Sequence, residues 1–262
     1  MTAEFKDKIV VVGGGSRGIG KGVAKAFARE GAQVVIASSR AEHLETASAE
    51  IVAAGGLKPE TLAADLRTLE GAQAVLERVS SRFGRCNVLV NSQGAAKGGV
   101  FVDQPDDQWI DGFALKFFGC VRMCRLFWPM LKAVEGHVVN ISGAAGKIPD
   151  PDALVIGSIN GAMGTFAKGL SRLGVRDGVN VNLIMPGLTR TERLTDLVKA
   201  RAEASGRAFD DIMADMLKAA GTRRIGTVED TAELALFLCS EKARHIQGAA
   251  IPVEGGMIPA AY

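Results

Sequence analysis

The residues best suited to chemistry in this sequence are three glycines that follow a run of branched aliphatic side chains. Ile9–Val12 reads IVVV, and Gly14, Gly18 and Gly20 follow within GGGSRGIG (residues 13–20). Glycine lets the backbone turn tightly and approach a ligand, because it has no Cβ. A helical pattern begins at once, and the free N–H groups of a helix N-terminus bind anions. The spacing therefore predicts a strand, turn and helix that hold the pyrophosphate of a dinucleotide, rather than a plain tight turn.

Short polar or glycine-rich segments also follow the later apolar runs. They are SSR (38–40), DL (65–66), NSQG (91–94), SGAAG (142–146) and PGLTRT (186–191). Each follows a run that is typical of a buried parallel strand, and the carboxyl ends of parallel strands share one edge of a sheet. We therefore expect all of these segments to converge on one bound molecule.

Strands and helices alternate along the whole chain. We predict strands at Lys8–Val12, Gln33–Ala37, Thr61–Ala64, Asn87–Val90, His137–Ile141, Val179–Ile184 and Ala249–Val253. We predict helices at Ile19–Glu30, Ala41–Ala54, Leu69–Phe83, Trp109–Ala133, Leu154–Leu173 and Glu229–Cys239, with a charged helical insertion from Thr191 to Ala220. Such repeated βα units predict an α/β fold of the Rossmann type, a doubly wound parallel sheet of about seven strands with helices on both faces. We expect a single domain over 1–262, with a substrate lid at about 190–225.

Charge and composition exclude several kinds of partner. The net charge is +2 and the two signs are interspersed, so no basic block indicates nucleic acid. No apolar run approaches the roughly 20 residues that span a membrane, and the charged start MTAEFKDK lacks the core of a signal peptide. The four cysteines and three histidines lack metal-ligand spacing. We expect a cytoplasmic protein with reduced thiols, no metal and a small-molecule substrate.

Together these segments resemble the short-chain dehydrogenase/reductase family over essentially the whole chain. GGGSRGIG is similar to the family's TGxxxGxG, with Gly13 where threonine is usual, and NSQG is similar to NNAG. The acidic–apolar pair DL, the PGxxxT segment and the ending VEGG also match. The resemblance implies that a nicotinamide cofactor is bound by Gly14, Ser16, Arg17, Gly18, Ile19, Gly20, Ser38, Ser39, Arg40, Asp65, Leu66, Asn91, Gly94, Asn160, Pro186, Gly187 and Thr191.

The end of the second predicted strand indicates which nicotinamide cofactor is bound. Relatives that select NAD place an acid there, which holds both ribose hydroxyls. Here the place reads Ser38, Ser39, Arg40, and Arg17 lies in the glycine loop. Two arginines and two serines suit a 2′-phosphate through charge-assisted hydrogen bonds. We predict NADP(H) over NAD(H), which stays the alternative, as do arginines that are merely solvated.

The sequence departs from the family pattern at the residues of the catalytic tetrad. The family uses an Asn that organises a proton relay, a Ser that holds the substrate oxygen, a Tyr that is the general acid/base, and a Lys that lowers the Tyr pKa and binds the nicotinamide ribose. Counting along this sequence places Lys116, Gly143, Ile156 and Asn160 at those positions, and the single tyrosine of the chain is Tyr262. Loss of a positioned general acid typically slows a reaction ~10²–10⁴-fold, so redox chemistry here needs another donor for the developing oxyanion.

Three side chains near those positions are weak candidates for the missing groups. Lys116 is either an oxyanion donor, since a buried lysine loses its proton readily, or a lysine that is exposed or paired to backbone carbonyls, which we favour. Ser142 is either a hydroxyl at the cleft or a small residue that ends a strand. Asn160 can keep a hydrogen bond to the ribose without the charge of a lysine. Ile156 cannot move a proton and makes the centre of the site more apolar.

Three functions are compatible with the sequence. The first is an NADP(H)-dependent oxidoreductase of an unknown carbonyl or alcohol, with a non-standard or impaired site. The second is a redox-silent dinucleotide-binding sensor or structural subunit, and the third is a lyase, isomerase or hydrolase that reuses the pocket.

Two further features bear on partners. The apolar and small residues of the two long helices, FALKFFGCVRMCRLFW and GAMGTFAKGL, predict a homo-oligomer with twofold symmetry, a dimer or tetramer. Four arginines around the lid suit an anionic substrate such as a carboxylate or acyl thioester, unless they form a solvated rim: Arg190, Arg193, Arg223 and Arg224.

Overall fold

The computed structural model describes residues 4–94 and 96–259. Within these ranges seven parallel strands form one sheet in the order β3-β2-β1-β4-β5-β6-β7. The strands are β1 (Ile9–Gly13), β2 (Gln33–Ser38), β3 (Glu60–Ala63), β4 (Val88–Asn91), β5 (His137–Ile141), β6 (Asn180–Pro186) and β7 (Ala250–Val253). The strand order reverses between β1 and β4, which confirms the predicted Rossmann-type sheet and places the ligand crevice at that point.

Helices cover both faces of the sheet. They are α1 (Gly18–Arg29), α2 (Ala41–Ala53), α3 (Leu69–Phe83), α4 (Asp106–Gly112), α5 (Gly119–Ala133), α6 (Leu154–Asp177), α7 (Glu192–Ser205), α8 (Phe209–Ala220) and α9 (Val228–Leu238). Along β1, Val10 and Val12 pack in the core with α1, α2 and α9, whereas Ile9 and Val11 pack in the core with α3, α5 and α6. Because successive side chains point to opposite faces, a strand buried on both sides must be apolar throughout.

The long helix predicted at Trp109–Ala133 is not one regular helix. It begins at Asp106, and a π-helical segment, Phe113–Phe118, joins α4 to α5. Such segments often lie at functional sites, and this one carries Lys116. The prediction of a regular helix is wrong here because FALKFF is apolar on nearly every side and gives no periodic signal.

The charged insertion forms two helices, α7 and α8, that break at Gly206. The Thr191 hydroxyl accepts a hydrogen bond from the backbone N–H of Leu194 and so caps α7. Leu194, Val198 and Ile212 form a small apolar cluster of their own, apart from the two cores of the sheet. Leu188 and Ile225, which flank the insertion in sequence, pack against this cluster and tie the insertion to the remainder of the chain.

Three general expectations can be compared with the described part of the chain. No helix within it is long and apolar enough to cross a membrane. The same residues contain no group of three or more His, Cys, Asp or Glu side chains that could hold a metal. The four cysteines are all buried and free, as small packing residues would be.

Candidate active site

A cleft of about 400 Å³ lies at the carboxyl ends of the central strands. Lys116 and Ser142 line it, and so does Arg193, one of the four arginines expected around the lid. Three further lining residues were not selected from the sequence, namely His43, Arg67 and Gln93. Of the cofactor residues expected from the sequence, those on its wall are Gly14, Ser16, Arg17, Gly18, Ile19, Gly20, Ser38, Ser39, Arg40, Asp65, Leu66, Gly94 and Thr191. The polar segments predicted to converge therefore largely do so.

The glycine turn has the shape that a phosphate requires. Gly14 and Gly18 have φ of 76° and 51°, a region that side chains other than glycine rarely adopt. A Cβ at Gly20 would lie 2.2 Å from the carbonyl oxygen of Gly14, so the helix packs directly on the turn. Arg17 is the N-cap residue of α1, and its side chain does not cap the helix. The first backbone N–H groups of α1 therefore receive no hydrogen bond from the N-cap side chain and can bind an anion. These residues fit a pyrophosphate.

One of those N–H groups is already bound to the first residue of α7. The backbone N–H of Gly18 donates to Glu192 Oε2 at 3.0 Å, and Lys21 Nζ lies 3.0 Å from Glu192 Oε1. Burial opposes the charge of Glu192, but hydrogen bonds from backbone N–H groups and Lys21 hold the pKa of this carboxyl below its usual value. The first residue of α7 thus places a carboxylate at the start of α1.

The ends of β2 and β3 form the cationic part of the cleft. Ser16 Oγ donates to Ser38 Oγ at 2.9 Å, while Arg17 and Arg40 are exposed at the rim. Arg67 Nη1 lies 3.2 Å from Asp65 Oδ1, and the same guanidinium also binds a carboxylate of α4. Hydroxyls and uncommitted guanidinium groups at this end suit a 2′-phosphate.

Lys116 lies at the other end of the cleft. Its Nζ donates to the carbonyl oxygen of Ser142 at 2.8 Å and to Asn160 Oδ1 at 2.7 Å. Its alkyl chain passes Gly94, where a Cβ would lie 2.9 Å from Lys116 Cδ. Burial lowers the pKa of Lys116 to about 8, and the charge of Arg193 acts in the same direction. The lysine is therefore paired to a backbone carbonyl, as favoured from the sequence, and also lines the cleft.

The family comparison assigns the chain on the basis of almost its whole length. The family model described as Enoyl-(Acyl carrier protein) reductase matches residues 14–258. The chain belongs to the short-chain dehydrogenase/reductase family. It is 32% identical over 263 residues to the oxidoreductase YvrD of Bacillus subtilis, with 98% of this chain and 99% of the relative covered.

Other relatives and solved structures agree with this family. The 3-oxoacyl-[acyl-carrier-protein] reductase FabG of Chlamydia muridarum is 29% identical, with 98% of this chain and 100% of the relative covered. The crystal structure of L-sorbose reductase from Gluconobacter frateurii, complexed with NADPH and L-sorbose, matches with a TM-score of 0.94. It is 28% identical, and 100% of each chain is covered.

The other positions that the sequence count assigns to the family tetrad are filled by packing. A Cβ at Gly143 would lie 2.9 Å from Asn160 Nδ2, so the Asn160 amide occupies space that a serine side chain would need. Ile156 is half-buried on α6. Ser142 is 7% exposed, and its hydroxyl donates to the Ile184 carbonyl oxygen at 3.4 Å, into the sheet. Tyr262 lies outside the described residues.

Several residues expected at the cofactor lie behind the cleft wall. Asn91 is 1% exposed, and its Nδ2 donates to Asn140 Oδ1 at 2.9 Å across β4 and β5. Pro186 ends β6, and a Cβ at Gly187 would lie 2.6 Å from Glu254 Cβ, so this segment packs on the residue after β7. Asn160 lies beneath Lys116. These residues are not on the wall of the 400 Å³ cleft, and their role in holding a cofactor stays a prediction.

Gln93 lines the cleft, and two differences from the family motifs could have indicated it. Gly13 stands where the first motif has threonine, and Gln93 stands where NNAG has alanine. A Cβ at Gly13 would lie 2.6 Å from Gln93 Oε1, so Gln93 fills space that the family's threonine would need. The Gln93 side chain is 5% exposed, and its Oε1 has no hydrogen-bond partner among the described residues. Glycine for threonine and glutamine for alanine are thus complementary changes at adjacent strand ends.

The four arginines expected around the predicted lid have different roles. Arg224 binds both carboxylate oxygens of Asp230 at 2.7 Å, which supports the capping box formed by Thr227 and Asp230 at the start of α9. Arg193 donates to the carbonyl oxygen of Ala96. Arg190 and Arg223 are exposed. Arg224 is therefore committed to the fold, and Arg190 and Arg223 are the ones left at the rim.

Proposed function

We propose that this chain is an NADP(H)-dependent oxidoreductase that interconverts a carbonyl compound and an alcohol. The observation that carries the proposal is a cleft with cations at both ends. Arg17 and Arg40 stand where a 2′-phosphate would bind, and Lys116 stands at the reactive end. The likeness to L-sorbose reductase, whose crystal structure holds NADPH and L-sorbose, supports this cofactor and reaction class. The FabG relatives support a 3-oxoacyl thioester as a substrate class.

The residues of the chain have separate tasks in this reaction. When bound, NADPH supplies a hydride to the carbonyl carbon of the substrate. The glycine turn and the N-terminus of α1 hold the pyrophosphate, and Ser16, Ser38, Arg17 and Arg40 hold the 2′-phosphate. Lys116 places a positive charge where the carbonyl oxygen becomes negative, which stabilises the transition state most in a site from which water is excluded.

Calorimetric titration tests the cofactor. We expect micromolar binding of NADPH and NADP⁺ and at least tenfold weaker binding of NADH, because two guanidinium groups face the extra phosphate. Failure of all three nucleotides to bind at millimolar concentrations would overturn the proposal at its first step.

Oxidation of NADPH in the presence of acetoacetyl-CoA, L-sorbose and a panel of ketones, aldehydes and enones tests the chemistry. We expect turnover with at least one carbonyl compound. Ile156, which stands where the family has its general acid, favours a second candidate, a redox-silent NADP(H)-binding protein. Tight NADPH binding with no turnover across the panel would select that candidate. Activity that persists without any nicotinamide nucleotide would instead indicate a lyase, isomerase or hydrolase.

A further inference from the structure

The side chain of Lys116 is held in the cleft by two acceptors from different parts of the fold. The carbonyl oxygen of Ser142 lies 2.8 Å from Nζ at the end of β5, and Asn160 Oδ1 lies 2.7 Å from it on α6. An ammonium group has three N–H donors. Among the described residues these are its two hydrogen-bond acceptors, so one N–H is left for a ligand in the cleft.

The space for this arrangement comes from two glycines. A Cβ at Gly94 would lie 2.9 Å from Lys116 Cδ, and a Cβ at Gly143 would lie 2.9 Å from Asn160 Nδ2. Asn160 is 4% exposed, so its amide is fixed by its surroundings. The π-helical segment Phe113–Phe118 carries the lysine towards this space. The lysine is therefore preorganised, which a solvated lysine on a helix surface would not be.

The groups that face Lys116 make its proton mobile near neutral pH. Burial disfavours the ammonium, Arg193 on α7 repels it, and the Cys120 thiol on α5 acts weakly in the opposite sense. The result is a pKa of about 8 for Lys116. A general acid works best when its pKa is close to the working pH.

We infer that Lys116 is the general acid of this enzyme, and that Asn160 is the residue that positions it. This inference rests on the proposed carbonyl–alcohol chemistry. In the reduction the carbonyl carbon gains the hydride and the carbonyl oxygen gains a proton from Lys116 Nζ. The products are the alcohol, NADP⁺ and a neutral Lys116 amine, which regains its proton from water. In the oxidation the neutral amine accepts the alcohol proton.

The first test compares Lys116→Arg with the matched control Lys132→Arg. Lys132 lies on α5, directly after the π-helical segment, and its ammonium binds Asp177 at the surface. Arginine keeps the charge and the donors but does not release a proton. We expect Lys116→Arg to bind NADPH within about threefold of wild type by calorimetry, and to reduce acetoacetyl-CoA, or the panel member that wild type reduces, ~10²–10⁴-fold more slowly. Lys132→Arg should match wild type.

The second test uses Asn160→Asp and the pH profile of kcat/KM for the reduction. Lys116 must be protonated to donate, so the rate of wild type falls as the pH rises through about 8. A carboxylate beside the ammonium raises its pKa, and we expect this alkaline limb to move up by about one pH unit. The oxidation should show the opposite limb, rising as the pH passes through the same value.

A third readout needs no turnover. Trace acetylation of the apoprotein with acetic anhydride at a series of pH values, quantified by mass spectrometry, gives the pKa of Lys116. We expect a pKa of about 8 for Lys116 in wild type, and a higher pKa for Lys116 in Asn160→Asp.

The outcomes separate this inference from the proposed function. A Lys116→Arg enzyme that keeps more than a tenth of wild-type turnover would overturn the inference alone. So would a variant whose NADPH affinity falls tenfold while turnover at saturation is intact, since Lys116 would then only anchor the cofactor. An alkaline limb of kcat/KM that Asn160→Asp does not move would also contradict the inference, and so would a Lys116 whose pKa is that of an ordinary exposed lysine. No turnover by wild type would overturn the proposed function, and this inference with it.

Discussion

Counting along the sequence assigns to Lys116 and Asn160 the two side-chain types that the family has at these positions, in exchanged order. The family pattern has Asn on the helix where Lys116 stands and Lys where Asn160 stands. In this chain the ammonium and the amide oxygen still meet, at 2.7 Å. The cleft thus keeps a positive charge, but in this chain it comes from the π-helical segment that carries Lys116 and not from α6.

This exchange determines how the family's residues can be restored. Asn160→Lys together with Gly143→Ser and Ile156→Tyr would bring a second ammonium against Lys116. We expect this triple variant to be destabilised by on the order of 3 kcal/mol, because two buried like charges lack a partner. Adding Lys116→Asn should recover that loss and raise carbonyl reduction roughly 10²-fold over the triple variant. Urea unfolding and NADPH oxidation measure the two effects; equal stability of the triple and quadruple variants would contradict the exchange.

We predict that Ser38, at the end of β2, controls the choice between NADPH and NADH. Ser38→Asp would place an acid where the 2′-phosphate is expected and where a 2′-hydroxyl could be held instead. We expect NADPH affinity to fall roughly tenfold to a hundredfold, since a charge-assisted contact contributes about 1.5–3 kcal/mol, while NADH affinity rises. Calorimetry with both nucleotides checks this. Ser81→Asp, an exposed serine on α3, is the matched control.

Most of these residues could be located from the sequence, because the spacing between the motifs fixes their positions along the chain. It could not show that Lys116 and Asn160 touch, because 44 residues separate them and the contact depends on where α6 and the π-helical segment cross. It also could not show that Asn91 turns into the sheet rather than towards the cleft, because both orientations suit a polar residue at a strand end.

The end of β1 and the loop after β4 act as a complementary pair of elements. Gly13 lacks a side chain where Gln93 fills the space, and the two would collide if β1 carried the family's threonine. We expect Gly13→Thr to destabilise the protein by about 1–3 kcal/mol through overpacking. Gln93→Ala in the same chain should remove most of that cost, with a coupling energy of about 1–2 kcal/mol in a double-mutant cycle of urea unfolding. Strictly additive effects would mean that the two positions do not compete for space.

The strands and helices themselves were predicted well because their signals are local. Buried strands read as apolar runs, and the caps at Thr191 and Thr227 mark where helices begin. The π-helical segment was missed because an insertion of one residue per turn has no distinct composition.

The whole molecule presents apolar side chains that its own cores do not use. Phe118 is 48% exposed beside α5, and Val175 is 71% exposed on α6. Burial of such side chains against a second copy would be favourable, at about 25 cal/mol per Å² of apolar area. We therefore keep the prediction that the protein forms a dimer or tetramer with twofold symmetry.

Sedimentation velocity at micromolar concentration measures this assembly. We expect a single dimeric or tetrameric species for wild type, and smaller species for Phe118→Asp and Val175→Asp, because a charge would be buried without a partner. Val52→Asp, at a 46% exposed position on α2, is the control and should leave the sedimentation coefficient unchanged. A wild-type monomer at these concentrations would contradict the prediction.

The contact between Glu192 and Gly18 has a consequence for the order of events in turnover. A nucleotide that places a phosphate oxygen on the Gly18 N–H must first displace the carboxylate of Glu192, the first residue of α7. We therefore expect entry of the nucleotide to release the start of α7 and the substrate to bind second, which is a compulsory-order scheme. Product-inhibition patterns would reveal that order, and Glu192→Gln should accelerate NADPH association about threefold to tenfold in stopped-flow fluorescence, since like charges no longer oppose its arrival. The same carboxylate thus competes with the nucleotide for one backbone N–H group at the start of α1.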